Sequence, residues 1–108
     1  MQYELAIYST ENNQVPYEDY MSSLRDRRAK LLIARRVQRA AAGNLGDHHT
    51  LDGGLHEMRI AYGPGYRVYY AWHGQTLVLL LLAGDKRTQT EDIKKARAYL
   101  ADFKRRNA

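Results

Sequence analysis

Cysteine is absent from the 108 residues, which removes disulfides, thiolate metal sites and cysteine nucleophiles from consideration. A chain without cysteine suits a reducing interior as well as any other compartment. Long apolar runs are missing too: the longest, 77–83, falls far short of the roughly 20 residues that cross a bilayer. Met1-Gln2-Tyr3-Glu4 lacks the basic and apolar regions of a secretory leader, so the expected location is the cytoplasm. Repeats and low-complexity segments are absent, as is a phosphate-binding glycine loop. Gly63-Pro64-Gly65 contains a proline and precedes a strand pattern instead of a helix, which argues against nucleotide hydrolysis. Paired catalytic carboxylates are not evident either, because nothing in the spacing fixes Glu57 relative to Asp85.

What is present is basic. The formal charge is +5 and the pI about 9.6, which favours a polyanionic or acidic partner. Residues 1–54 carry seven acidic and seven basic side chains, whereas 55–108 carry five and ten, so the excess sits in the second half. A length of 108 residues allows one domain, 1–108, with a modest core, and places any chemistry on a surface or shallow groove.

Residues 3–8 alternate in period two and predict a strand with one buried face. Pro16 suits a first helical position, followed by Tyr17, Tyr20, Met21 and Leu24 at helical spacing. From about Asp26 a second helix continues through Ala29, Leu32, Ile33, Val37, Ala40 and Ala41, stopping at Gly43, and the two are expected to pair as a hairpin. Its Arg25, Arg27, Arg28, Lys30, Arg35, Arg36 and Arg39 read most simply as a solvated face with apolar stems; a groove for an acidic partner is the alternative.

Residues 44–54 read as loop. Residues 55–61 and 66–72 predict strands joined by the Gly63-Pro64-Gly65 corner, then a turn at His73-Gly74 or Gly74-Gln75 and a strand over 76–83. Residues 77–82 do not alternate, as expected of a central strand buried on both faces. Thr88 or Thr90 can cap a final helix with Glu91 and Asp92 in its first turn, Lys104, Arg105 and Arg106 in its last, and a buried stripe of Ile93, Ala96, Leu100 and Phe103. The fold class is α+β: a small antiparallel-rich sheet with an N-terminal helical hairpin and a C-terminal helix packed on it, in the order β-α-α-β-β-β-α.

A three-residue corner sets Tyr62 opposite Tyr66, Arg59 across from Tyr69 and Arg67 opposite Ala61. Leu55, Glu57, Arg59, Arg67 and Tyr69 then share one sheet face, and Met58, Ile60, Tyr66, Val68, Tyr70 and Trp72 form the other, core-like face. Arg59 and Arg67, with Lys86 and Arg87 at the end of the next strand, converge as a phosphate-handling group. Guanidinium forks and an ammonium can neutralise a phosphorane as its charge develops, and Tyr69 can stack on an unpaired base. Such a surface suits cleavage of single-stranded RNA by its own 2′-hydroxyl. Glu57 offers Arg59 an ion-pair partner, and His56 is either structural or an acid or base. His48-His49 lacks a third ligand at a recognisable spacing, so no metal site is expected.

Three stretches carry a specific resemblance: Gly54-Leu55-His56-Glu57-Met58-Arg59-Ile60, Gly63-Pro64-Gly65-Tyr66-Arg67-Val68-Tyr69-Tyr70, and Leu80-Leu81-Leu82-Ala83-Gly84-Asp85-Lys86-Arg87-Thr88-Gln89 with Asp92, Ile93 and Ala96. Together with Gly43-Asn44-Leu45-Gly46-Asp47 and Leu51, they resemble the RelE/HigB-type toxins of bacterial type II toxin–antitoxin modules, in the addiction-module killer branch of the RelE/ParE superfamily. The resemblance implies a RelE-like fold and translation inhibition by a metal-independent endoribonuclease that cuts mRNA, usually on the ribosome, without a cofactor. It also implies neutralisation, in a hetero-oligomer, by an antitoxin that is often a helix-turn-helix, HigA-like repressor. By position, Arg67 and Lys86 or Arg87 match phosphate-handling residues, and Arg59 matches a Glu-x-Arg strand motif. Glu57, His56, Tyr69 and Gln89 complete the expected substrate-binding set. The chain departs from the pattern at His56, where the branch often has an aromatic residue, and at Ile93, where several members place a catalytic tyrosine. A ParE-like toxin that binds DNA gyrase, or a plasmid or phage remnant that only binds antitoxin, are the alternatives.

Overall fold

A computed structural model describes residues 3–74 and 77–108, and for Leu77 the backbone alone. Five strands and three helices follow in chain order: β1 (Glu4–Ile7), α1 (Pro16–Ser23), α2 (Arg27–Ala41), β2 (His48–Thr50), β3 (His56–Ile60), β4 (Tyr66–His73), β5 (Leu77–Asp85) and α3 (Gln89–Arg106). The architecture is α+β. The sheet order is β1-β5-β4-β3-β2, with β1 parallel to β5 and the other pairs antiparallel, so the sheet is mixed. The expected turn involving Gln75, the strand start at Thr76, and Met1-Gln2 lie outside the described residues.

Helices cover both faces. Tyr17 of α1 and Ala29, Ile33, Val37 and Ala40 of α2 pack with Met58, Ile60, Tyr66, Val68, Tyr70, Val78 and Leu80 on one side. Ala96 and Leu100 of α3, with half-buried Ile93 and Phe103, pack against Leu55, Tyr69, Ala71, Leu79 and Leu81 on the other. Period-two alternation in β3 and β4 therefore sorts residues to two cores, because each face of the sheet has its own helical cover. No helix among the described residues is long and apolar enough to cross a membrane.

Local chemistry fixes the helix ends. Pro16 begins α1 where its missing N–H is no loss, and the Asp26 carboxylate accepts from the N–H groups of Arg28 (3.0 Å) and Ala29 (3.1 Å) at the start of α2. Gly43 follows α2 at φ 96°, a left-handed value that glycine adopts without a Cβ penalty. Thr88 occupies the N-cap position of α3, but its hydroxyl donates to Asp92 Oδ2 (2.6 Å) instead of capping the helix, and Thr90 lies inside it.

Four features differ from the sequence reading. Residues 48–50, read as loop, form the edge strand β2. All three side chains are exposed, so no apolar alternation marks the strand, and it exists through backbone pairing with β3. The corner after β3 spans 61–65, which pairs Ile60 with Tyr66, Arg59 with Arg67 and Glu57 with Tyr69, in place of the expected Tyr62–Tyr66 register. The aliphatic β5 is an interior strand buried on both faces, as expected, but it lies between β1 and β4, and β4 is the middle strand of the five. Tyr69 pairs with Leu82 and Tyr70 with Leu80, leaving Leu81 as the extra residue of a bulge. Leu81 and Leu82 consequently point to the same core, and the run is apolar throughout because both faces of β5 are covered.

Candidate functional site

The α3-facing side of β3 and β4 holds a buried charge network. Glu57 is 0 % exposed. Its Oε1 lies 2.8 Å from Arg67 Nε and 3.2 Å from Arg59 Nε, and it accepts from Gln89 Nε2 at 2.8 Å. The Arg67 contact is a close ion pair with poor hydrogen-bond alignment, since Arg67 Nε has no acceptor in line. Arg59 and Arg67 stand directly opposite each other across the strand pair, an arrangement of like charges that is unfavourable unless a carboxylate lies between them. Glu57 supplies that carboxylate, and Gln89, the first residue of α3, closes the network from the next element.

Tyr69 lies beside this network and is 0 % exposed, with no partner for its hydroxyl among the described residues. Burial first, and then the Glu57 carboxylate, push its phenol well above the ordinary tyrosine value. A ring with no exposed surface offers no stacking platform, so the base-stacking role expected for Tyr69 gives way to a core role. Glu57 is likewise enclosed, and what it does is hold Arg59 and Arg67 in place.

The second group forms where β5 ends. Asp85 accepts from the Arg87 backbone N–H (2.8 Å) and grips the Arg87 guanidinium through Nε (3.2 Å) and Nη2 (2.8 Å). Hydrogen bonding from Arg87 holds the Asp85 carboxyl below the usual carboxylate range, and the same bond raises Arg87. Arg87 remains 76 % exposed although its fork is occupied. The sequence reading missed Asp85 as its partner; the Asp-x-Arg spacing at a strand end, which places a carboxylate where it can cap the following turn, is a signal that could have found it.

Gly65 joins the two groups. Its carbonyl accepts from the Lys86 backbone N–H at 2.9 Å. A Cβ built on Gly65 would stand 3.5 Å from Arg67 Nη1 and 3.6 Å from Lys86 Cβ, so these two cationic residues flank the same glycine. With φ 83°, Gly65 is in the left-handed region, which lets the corner turn tightly between them. Arg67 is only 10 % exposed at its side chain and its Nη1 donates to the Gly65 carbonyl at 3.4 Å, whereas Lys86 is exposed and forms no ion pair among the described residues. Arg59, Arg67, Lys86 and Arg87 against Glu57 and Asp85 leave a net positive surface.

His56 is not part of it. Alternation turns this residue to the α2 side of β3, where its ring stacks on Tyr70 at 5.3 Å and Nδ1 lies 3.3 Å from Thr50 Oγ1. Desolvation, with a smaller contribution from His48, lowers its pKa and favours the neutral imidazole. An acid or base role alongside the arginines is therefore ruled out by the opposite face it occupies. The sequence reading also missed Arg36, which donates to the carbonyls of Arg59 (2.6 Å), Leu45 (3.0 Å) and Asp47 (2.9 Å) and ties the 44–47 segment to β3.

No known family model matches the chain. An uncharacterized protein of Haemophilus influenzae is 43% identical to it over 81 residues, which cover 75% of this chain and 82% of that protein. Identity at that level over most of both sequences places this chain in the same family as the Haemophilus influenzae protein.

Proposed function

We propose that this chain is the toxin of a bacterial type II toxin–antitoxin module, of RelE/HigB type and RelE-like fold, which inhibits translation in the cytoplasm by cutting mRNA on the ribosome. The observation that carries the reading is the pairing of Arg67 and Lys86 around Gly65 at the open end of the sheet. In the reaction the 2′-hydroxyl of one nucleotide attacks the adjacent phosphorus, the bond to the 5′-oxygen breaks, and a 2′,3′-cyclic phosphate and a 5′-hydroxyl result. Glu57 fixes Arg67, the Lys86 ammonium meets the phosphate oxygens, Arg67 adds its charge from just beneath, and both count most as the phosphorane gains negative charge. Arg59 reinforces the positive field from behind Glu57. The ribosome supplies the substrate positioning that so small a surface does not.

A toxin that binds DNA gyrase without cutting RNA is the second reading. The burial of Tyr69 and the occupied fork of Arg87 favour it, because both reduce what the surface offers an RNA strand. Induced expression separates the two. The nuclease reading expects truncated messages and arrested growth, relieved by co-expressing a neighbouring helix-turn-helix antitoxin; DNA damage with intact messages refutes it.

A further inference from the structure

Five residues form a closed circuit of polar contacts around the candidate site. The Gly65 carbonyl accepts from the Lys86 N–H at 2.9 Å and from Arg67 Nη1 at 3.4 Å. Arg67 Nε lies 2.8 Å from Glu57 Oε1, and that same oxygen accepts from Gln89 Nε2 at 2.8 Å. Gln89 then returns to the start, because its backbone N–H donates to the Lys86 carbonyl. The path from Gly65 through Lys86, Gln89, Glu57 and Arg67 back to Gly65 crosses β3, β4, the corner between them, the Lys86–Thr88 turn and the first residue of α3.

Within that circuit Lys86 and Arg67 are joined in two ways. One is the Gly65 carbonyl, which two donors share. The other is Gln89, which holds Lys86 through its backbone and Glu57 through its side chain, while Glu57 holds Arg67. A carboxylate oxygen only accepts, so the amide nitrogen of Gln89 must be the atom that faces it. Arg59 and Arg67 bring charge to Glu57 Oε1, whereas Gln89 brings a neutral donor from a different element. Gln89 is half-buried, and its bond to Glu57 alone links residues 86–92 to β3 through side-chain hydrogen bonding among the described residues.

We infer that Gln89 is a positioning residue: it fixes Lys86 relative to Arg67, so that both cations are in place before a phosphate arrives. This rests on the nuclease reading for what the two cations act on, but the coupling of Gln89 to Lys86 does not. It replaces the substrate contact expected of Gln89, whose amide nitrogen is already engaged by Glu57. Lysine is a point charge on a flexible stem, so its contribution depends on where the backbone sets its Cα. Charges held in place beforehand stabilise a transition state without rearranging at the moment of reaction. Opening the circuit at Gln89 leaves Lys86 charged and present but free to shift, and a displacement of about 1 Å can cost about 100-fold in rate.

The test uses Gln89→Met, which keeps the side-chain length and removes the donor. Thr90→Met, at the next and exposed position of α3, is the control. Circular dichroism and thermal melting confirm the fold of each. NMR measures hydrogen exchange at backbone amides and at arginine Nε–H groups, and cleavage of ribosome-bound message gives a saturating rate and a half-saturating concentration. Gln89→Met is expected to speed exchange at the Lys86 amide and at Arg67 Nε–H by at least about tenfold, with the Val37 amide in α2 unchanged. Its saturating rate should fall at least about tenfold while the half-saturating concentration stays within about twofold. Thr90→Met should match the parent in both readouts. Parental exchange in Gln89→Met overturns the inference, as does faster exchange that extends to Val37, because the loss is then global. A parental cleavage rate overturns it too, and a raised half-saturating concentration at that rate marks a substrate contact instead. If the parent cuts no message, the nuclease reading falls, while faster exchange confined to Lys86 and Arg67 upholds the coupling.

Discussion

Removing the Glu57 carboxylate tests whether the network beneath the candidate site is structural. In Glu57→Ala, Arg67, with 10 % of its side chain exposed, loses the only carboxylate within ion-pair distance among the described residues. Leaving one member of a buried pair uncompensated costs about 3–5 kcal/mol, against a total of about 5–15 kcal/mol for a domain of ordinary stability. Arg59 is 38 % exposed at its side chain and can turn toward water, so it adds little to the loss. Gln89 loses one acceptor at 2.8 Å, a further contribution of about 1 kcal/mol. With a urea slope of about 1–3 kcal/mol per molar, the midpoint should fall by roughly 2 M, and Tm by more than about 12 °C. The double variant Glu57→Met, Arg67→Met removes both charges and should recover most of that stability, because an apolar pair of similar volume needs no desolvation of ions. A single-variant loss below about 1 kcal/mol, the range of an exposed surface pair, refutes the reasoning. So does a double variant no more stable than the single.

Three further outcomes follow from the same geometry. A Cβ at Gly84 would sit 2.0 Å from Asp92 Oδ2, so Gly84→Ala should lower the unfolding free energy by about 1–3 kcal/mol, read from denaturant titration, and adding Asp92→Ala should restore part of it; an unchanged stability contradicts the close packing of β5 on α3. The folded pKa of Asp85 lies below its unfolded value, so its contribution is fully present above the ordinary carboxylate pKa of about 3.9 and is lost as pH falls through the folded value. Stability of Asp85→Asn measured against pH should therefore lie below the parent at neutral pH and converge with it in acid, and a constant gap across that range sinks the assignment. Arg36→Met removes three donor contacts and should cost about 2 kcal/mol while raising amide exchange across 44–50; exchange unchanged there, with loss confined to the core, argues against the clamp.

Legibility in the sequence tracked side-chain patterning. The two face sets of β3 and β4 could be read because apolar and polar residues alternate, and the helix starts could be read from Pro16 and Asp26. The edge strand β2 was invisible, because His48, His49 and Thr50 are all exposed and only backbone pairing defines them. The register of β3 on β4 depended on whether the glycine corner used three residues or five, a choice made by backbone conformation at Gly63 and Gly65. At the site, residue types indicated a cationic surface, but they did not distinguish free cations from neutralised ones. Arg67 and Arg87 each meet a carboxylate, Tyr69 is sealed in the core, and His56 faces away, whereas Lys86 remains open. Such assignments depend on burial and on partners distant in sequence, as with Gln89 and Glu57, which single-residue chemistry does not encode.

Whether the cations gathered at Gly65 act on an RNA phosphate is decided by mapping 5′ ends on a message in a translation reaction. The parent protein should generate new 5′-hydroxyl ends, and Lys86→Ala, with an unchanged melting temperature, should generate them about 100-fold more slowly, the scale of losing one stabilising donor. New ends at the parental rate in Lys86→Ala, or none with the parent protein, would contradict it.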